Sequence, residues 1–120
     1  MSKAKAPNPD FLNGVPELLV LRLLSRRPMH GYGVVRAIKD ASGAQFDFGE
    51  GCIYPILHRL ERSGLLAAVR ERVGNRTRIV YTVTADGLAR LERSASSWAQ
   101  VVAAVNRVLQ GGTDGEPSVA

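Results

Sequence analysis

Apolar residues recur at helical spacing in the first half of the chain and predict three helices there. A helix over 14–27 is apolar nearly all round, so it must be covered on several sides. A second helix is expected over 30–43, where it ends at a Ser-Gly pair. A third is expected over 50–63, after a connection whose Phe46 and Phe48 are predicted to fill the core. Its apolar stripe, with steps of three and four, comprises Ile53, Ile56, Leu57 and Leu60.

The pattern then changes from helical spacing to alternation, which predicts strands over 65–72 and 78–83. Gly74-Asn75 between them suits a tight turn. Thr84 is a good N-cap for a last helix that continues to Leu109. This order of elements predicts a mainly α fold with a small β-hairpin, which is a winged helix-turn-helix followed by a C-terminal helix.

Four parts follow from these elements. We expect a flexible N-terminal arm over 1–12, a winged-helix DNA-binding domain over 13–83, a dimerisation helix over 84–110 and a disordered tail over 111–120. The arm is polar and contains two prolines, and the tail is short and polar, so neither is expected to join a core.

The last predicted helix carries an apolar seam with heptad spacing. Steps of three and four residues alternate along it, which is typical of paired helices. We therefore expect a homodimer in which the seam packs against the same seam of a second subunit. Docking of the seam on its own domain is the alternative. The seam consists of Leu88, Leu91, Ala95, Trp98, Val102, Val105 and Leu109.

The net charge of +5 is concentrated in one segment of the 120 residues. Residues 51–83 hold six arginines against two glutamates, a net of +4. A basic surface on a helix and an adjacent hairpin favours double-stranded DNA as a partner, because a helix fits the major groove and a hairpin reaches the backbone beside it. A solvated, Arg-rich surface without a nucleic-acid partner is the alternative.

The third predicted helix carries the candidate reading residues. His58, Arg59 and Arg62 share the side opposite the apolar stripe, and an arginine can bind guanine through two hydrogen bonds. Tyr54 flanks that side, where its hydroxyl can bind a phosphate. The DNA contacts predicted outside this helix are Tyr32, Arg76 and Arg78.

Four arginines surround the predicted hairpin turn. Arg76 lies at its tip and is the strongest candidate for a phosphate contact. For Arg70 and Arg72 the alternative is a hairpin that is kept soluble by charge, because Glu71 lies between them.

A set of short motifs extends over about residues 12–109. They are His30-Gly31-Tyr32, Ile53-Tyr54-Pro55 with Leu57 to Glu61, Gly64-Leu65, and Tyr81 with Thr84-x-x-Gly87. With these motifs the chain resembles the PadR-like transcriptional regulators. The short last helix with Trp98 is similar to a compact subgroup that includes multidrug-binding repressors. One departure is Cys52-Ile53, which stands where the family usually has Ser or Thr followed by Leu.

The resemblance implies a cytoplasmic homodimer that binds a pseudo-palindromic operator as a repressor and leaves it when a small molecule binds. Two symmetry-related Trp98 rings among small residues would leave a gap for a planar aromatic or phenolic effector. Simple packing of Trp98 in the interface is the alternative. Glu17 could pair with a cationic effector. The predicted ligand contacts are Trp98, Glu17, Leu18, Leu21, Ala95 and Val102.

Other chemistry is sparse in this sequence. Cys52 is the single cysteine, and an oxidant-sensing thiolate at the start of a helix is less favoured than a substitute for Ser or Thr. Two histidines, one cysteine and no Gly-rich phosphate loop predict neither an enzyme, a cofactor nor a metal site. No segment is apolar enough to predict a membrane span. A winged helix that binds protein instead of DNA is the main functional alternative.

Overall fold

Four helices and a three-stranded antiparallel sheet form the fold in a computed structural model that describes residues 11–111, and their side chains from Gly14 onward. The elements are α1 (Phe11–Arg26), β1 (Met29–His30), α2 (Gly31–Ala41), α3 (Glu50–Arg62), β2 (Leu66–Val73), β3 (Arg76–Val83) and α4 (Ala85–Leu109). The predicted fold class is therefore confirmed. Most of the predicted arm and tail, residues 1–10 and 112–120, lies outside the described residues.

α1 begins three residues earlier than the apolar run alone indicated. Phe11 and Leu12 belong to the helix, so Pro16 lies in its second turn. Between Val15 and Leu24 every residue except Arg22 is buried or half-buried. This agrees with the expectation that the helix is covered on several sides.

The hydrophobic core lies between the helices and the inner face of the sheet. α1 packs against α4, α2 and β3, and it has the central position. Leu91 is the buried hydrophobic residue that α4 adds, and Gly87 is buried as well, so the first turns of α4 dock on their own domain. The buried core consists of Val20, Leu21, Leu24, Val34, Val35, Ile38, Ile53, Leu57, Leu60, Leu65, Leu66, Tyr81 and Leu91.

The sheet has the order β1-β3-β2, with β3 in the middle. β2 and β3 pair from Leu66 opposite Val83 to Val73 opposite Arg76, which leaves Gly74-Asn75 as a two-residue turn. The short β1 was not predicted. It exists because two residues pair with Tyr81 and Val80 far along the chain, and such a pairing leaves no local period in the sequence.

α3 is an uninterrupted helix although Pro55 lies inside it. Ile53, Leu57 and Leu60 are buried and Ile56 is half-buried, as the stripe predicts. The connection before α3 differs from the prediction in one position. Phe46 is exposed and stacks on the half-buried Phe48, with ring centroids 5.4 Å apart. The prediction that both rings fill the core was wrong, because Phe48 already covers this part of it.

Thr84 and Gly87 join the end of α3 to the start of α4. The Thr84 hydroxyl donates to the Gly64 carbonyl at 2.7 Å and accepts from the Gly87 amide at 3.1 Å. The Thr84 amide donates to the Leu65 carbonyl at 3.1 Å. A Cβ atom on Gly87 would overlap that same carbonyl oxygen and lie 2.7 Å from Val83 Cγ1. Only glycine lets α4 approach the backbone so closely.

Candidate nucleic-acid interface

The side of α3 that faces solvent is basic and sterically open. His58 and Arg62 are exposed there, and Gly51 and Pro55 add no bulk. Within residues 14–111, Arg62 makes no ion pair, so its guanidinium is available to an anion. Basic side chains on an open helix face match what insertion into the major groove requires.

Tyr54 links the start of α2 to α3. Its ring lies so close to Gly31 that a Cβ atom there would be 2.8 Å from Tyr54 Cζ and 2.9 Å from the hydroxyl oxygen. The ring also meets His58 edge-on, with centroids 6.2 Å apart. Tyr54 therefore helps to set the angle between the two helices of the helix-turn-helix. Tyr32, in the first turn of α2, is exposed beside this junction.

Tyr54 of α3 and Tyr81 of β3 both remain protonated at neutral pH. Burial raises the pKa of the Tyr54 hydroxyl, and the Glu50 carboxylate raises it further. Burial also raises the pKa of Tyr81, and electrostatic interactions with Glu61 and then with Tyr54 raise this pKa further. Each hydroxyl can therefore act as a hydrogen-bond donor over the physiological pH range.

Arg59 has a different environment from its neighbours on α3. Its Nη1 donates to Glu17 Oε1 at 3.1 Å, so the guanidinium is turned toward α1. The second oxygen of the Glu17 carboxylate accepts from Arg90 Nη1 of α4 at 2.7 Å. Sequence spacing places Arg59 beside His58 and Arg62. Sequence spacing cannot show the ion pair between Arg59 and Glu17, because the two residues are 42 positions apart along the chain.

The hairpin arginines divide between the two faces of the sheet. Opposed residues of an antiparallel pair point to the same face, and every second residue shares it. Arg70 and Arg72 therefore lie on the face of the buried Tyr81, which is the face that packs on the core. Arg76 and Arg78 lie on the opposite face.

One ion pair links the two strands of the hairpin, and it involves Arg78. Arg78 Nε lies 3.2 Å from Glu71 Oε1, directly across the ladder. Glu71 therefore neutralises Arg78, and not the arginines beside it in the chain. Within the described residues, Arg70, Arg72 and Arg76 make no ion pair. All three stay available for phosphate contacts.

The α4 seam is exposed over most of its length. Leu88, Trp98, Val102, Val105 and Leu109 are between 36% and 75% exposed, whereas Leu91 is buried in the core. The helix has 25 residues, which is about 37 Å. An apolar row of this length on one helix is far more than the scattered exposure of a monomer surface.

Comparison with known proteins identifies the family of this fold. The model of the PadR-like transcriptional regulator family matches residues 20–93. The chain belongs to the PadR-like family of transcriptional regulators. It is 32% identical over 82 residues to the transcriptional regulator Rv3488 of Mycobacterium tuberculosis, covering 68% of this chain and 74% of that protein. It is 33% identical over 72 residues to the transcriptional regulator YqjI of Escherichia coli, covering 60% of this chain and 34% of that protein.

Solved structures show the same PadR-like architecture. The PadR-like transcriptional regulator of Bacillus cereus superposes with a TM-score of 0.73 at 30% identity, covering 85% of this chain and 98% of that chain. The match agrees with a transcriptional regulator.

The predicted effector residues of this PadR-like chain are not all accessible. Ala95, Trp98 and Val102 are exposed along α4. Leu21 is fully buried, because its side chain fills the core, so it must be removed from the candidate pocket. Leu18 is half-buried against the core. Each carboxylate oxygen of Glu17 already accepts from an arginine, so within the subunit its negative charge is paired with Arg59 and Arg90.

The remaining candidate chemistry is limited. Cys52 is exposed in the first turn of α3, and its sensing role stays a prediction. Among the described residues, no group of three or more His, Cys, Asp or Glu side chains could hold a metal ion. No helix in the described part of the chain is long and apolar enough to cross a membrane.

Proposed function

We propose that this PadR-like protein is a homodimeric repressor that binds a pseudo-palindromic operator and responds to a small effector. The exposed basic side of α3 carries the proposal, because His58 and Arg62 stand on an open helix face. In the proposed complex this face enters the major groove, while Arg70, Arg72 and Arg76 contact phosphates beside it. Family membership supports the same reading.

The α4 seam supports the homodimer. Heptad spacing on an exposed helix is the pattern that pairs two copies of one helix. In a two-fold dimer the two α3 helices stand at a spacing that the α4 pair sets, so each reads one half-site. Any change in the packing of α4 then changes that spacing, which gives a ligand at the seam a route to the operator.

The effector site is proposed at Trp98. Ala95 and Ala99 are small residues near it on α4, and Val102 is one turn further along the helix. Two such indoles across a dimer axis would bind a planar aromatic or phenolic molecule by stacking. This proposal uses no residue that is buried in the core of the subunit.

The proposed function is tested by selection from a random duplex library with the purified full chain. We expect enrichment of an inverted repeat whose half-sites are about 10 base pairs apart, or a multiple of that distance. Binding to the selected duplex should weaken steeply as salt increases, because phosphate contacts release counterions. No enrichment, together with salt-insensitive behaviour, would contradict the proposal and favour a winged helix that binds protein.

A further inference from the structure

Glu17 is a junction between the candidate reading helix and the candidate dimer helix. One carboxylate on α1 holds Arg59 of α3 through one oxygen and Arg90 of α4 through the other, at 3.1 and 2.7 Å. The Glu17 side chain is only 14% exposed, whereas those of Arg59 and Arg90 are 49% and 39% exposed. Within residues 14–111 these three side chains make no other ion pair.

The charges of the junction do not balance. One carboxylate faces two guanidinium groups, so the group of three carries a net charge of +1. Arg90 therefore competes with Arg59 for the same negative charge, and each weakens the hold on the other. If Arg90 moved away, the undivided charge of Glu17 would bind Arg59 more firmly.

Arg59 also faces a second possible anion. It lies next to His58 on the exposed side of α3, and half of its side chain is in solvent. A phosphate of bound DNA would accept hydrogen bonds from Arg59 as the Glu17 carboxylate does. The guanidinium must take one orientation to bind Glu17 and another to bind the phosphate. In the free protein the Arg59 guanidinium donates to Glu17.

We propose that Glu17 withholds Arg59 from DNA, that an operator phosphate displaces Glu17, and that Arg90 sets how firmly Glu17 holds Arg59. The inference rests on the proposed function and gives it a mechanism. An effector that shifts α4 carries Arg90 away from Glu17. Glu17 then retains Arg59, the phosphate contact is lost and affinity for the operator falls.

The Glu17–Arg59 step is tested by the dissociation constant of a fluorescein-labelled selected duplex over a range of salt concentrations. Glu17→Gln should tighten binding about threefold to fivefold, the size expected when the half-exposed Arg59 is released from a single ion pair. Arg59→Gln should weaken binding and lower the slope of log affinity against log salt by about one, because one phosphate contact is lost. In the Arg59→Gln background, Glu17→Gln should have no further effect.

Glu61→Gln is the matched control, because it removes an equal charge from the exposed surface of α3 without releasing an arginine. The inference is overturned if Glu17→Gln tightens binding equally with and without Arg59, which would indicate long-range charge alone. An unchanged salt slope in Arg59→Gln would also overturn it, because Arg59 would then stay on Glu17 in the complex.

The Arg90 step is tested without changing Glu17, so it does not depend on whether the Glu17 variant folds. Arg90→Gln should weaken binding about twofold to fivefold when Arg59 is present and should have no effect in the Arg59→Gln background. Arg93→Gln, on an exposed position of the same helix, is the control for loss of charge. Equal effects of Arg90→Gln in both backgrounds would refute the coupling. Failure of the wild type to bind any duplex would instead refute the proposed function itself.

Discussion

Val105→Glu is expected to convert the proposed dimer into monomers and to weaken operator binding by roughly 100-fold or more, because two linked half-sites bind far more tightly than one. Val105 is 48% exposed in the subunit, so the substitution leaves the fold of the single chain intact. In the paired helices it would place two carboxylates opposite each other inside an apolar seam, which is strongly unfavourable.

Ala103→Glu is the matched control for this prediction. It introduces the same charge two residues earlier, at an exposed position of α4 away from the seam, so the dimer and its DNA affinity should be retained. Sedimentation equilibrium measures the association state, and fluorescence anisotropy with the selected duplex measures affinity. A Val105→Glu protein that stays dimeric would show that the seam is not the interface.

Gly87→Ala is expected to destabilise the protein by roughly 2–3 kcal/mol, the cost of forcing one methyl group into a packed site. The added Cβ would overlap the Leu65 carbonyl oxygen, so α4 must move away from the end of α3. Elsewhere in a helix, replacing glycine by alanine stabilises by about 1 kcal/mol. The sign of the effect therefore separates close packing from ordinary helix propensity.

Gly51→Ala is the matched substitution with the opposite expected sign. Gly51 lies in α3, and a Cβ atom there would have no atom within 4 Å outside its own helix and chain neighbours. Urea denaturation of both variants at equal protein concentration gives the comparison. If Gly87→Ala were as stable as Gly51→Ala, the proposed tight junction between Thr84, Gly87 and Leu65 would be wrong.

The parts of the fold that could be predicted from the sequence are those in which apolar residues recur regularly within one element. The apolar stripe of α3 and the alternation in β3 each lie within one element, so the sequence contains them completely. β1 and the Glu17 junction depend on partners that lie at least 42 residues away along the chain. No pattern within a short segment can contain such contacts.

The candidate site, too, could be predicted from the sequence only in part. Arg62 and His58 stand where the helical period places them. For the hairpin, the alternation of side chains along a strand could have shown which face each arginine occupies. Arg70 and Arg72 are an even number of positions from the apolar Leu66, so they share its face. Proximity of Glu71 in the chain does not identify its partner, because residues that are adjacent in a strand point to opposite faces. The cross-strand register pairs Glu71 with Arg78.

The most direct test of the account concerns the side of α3 that is proposed to read DNA. The quantity to measure is the ratio of the dissociation constants for a scrambled duplex and the selected duplex. The double variant His58→Ala/Arg62→Ala should lower this ratio about 10-fold or more, because base contacts of this kind discriminate by about 1–3 kcal/mol each. Arg72→Ala should weaken binding to both duplexes alike and leave the ratio unchanged. A ratio that survives the double variant would contradict the claim that this face of α3 reads the operator.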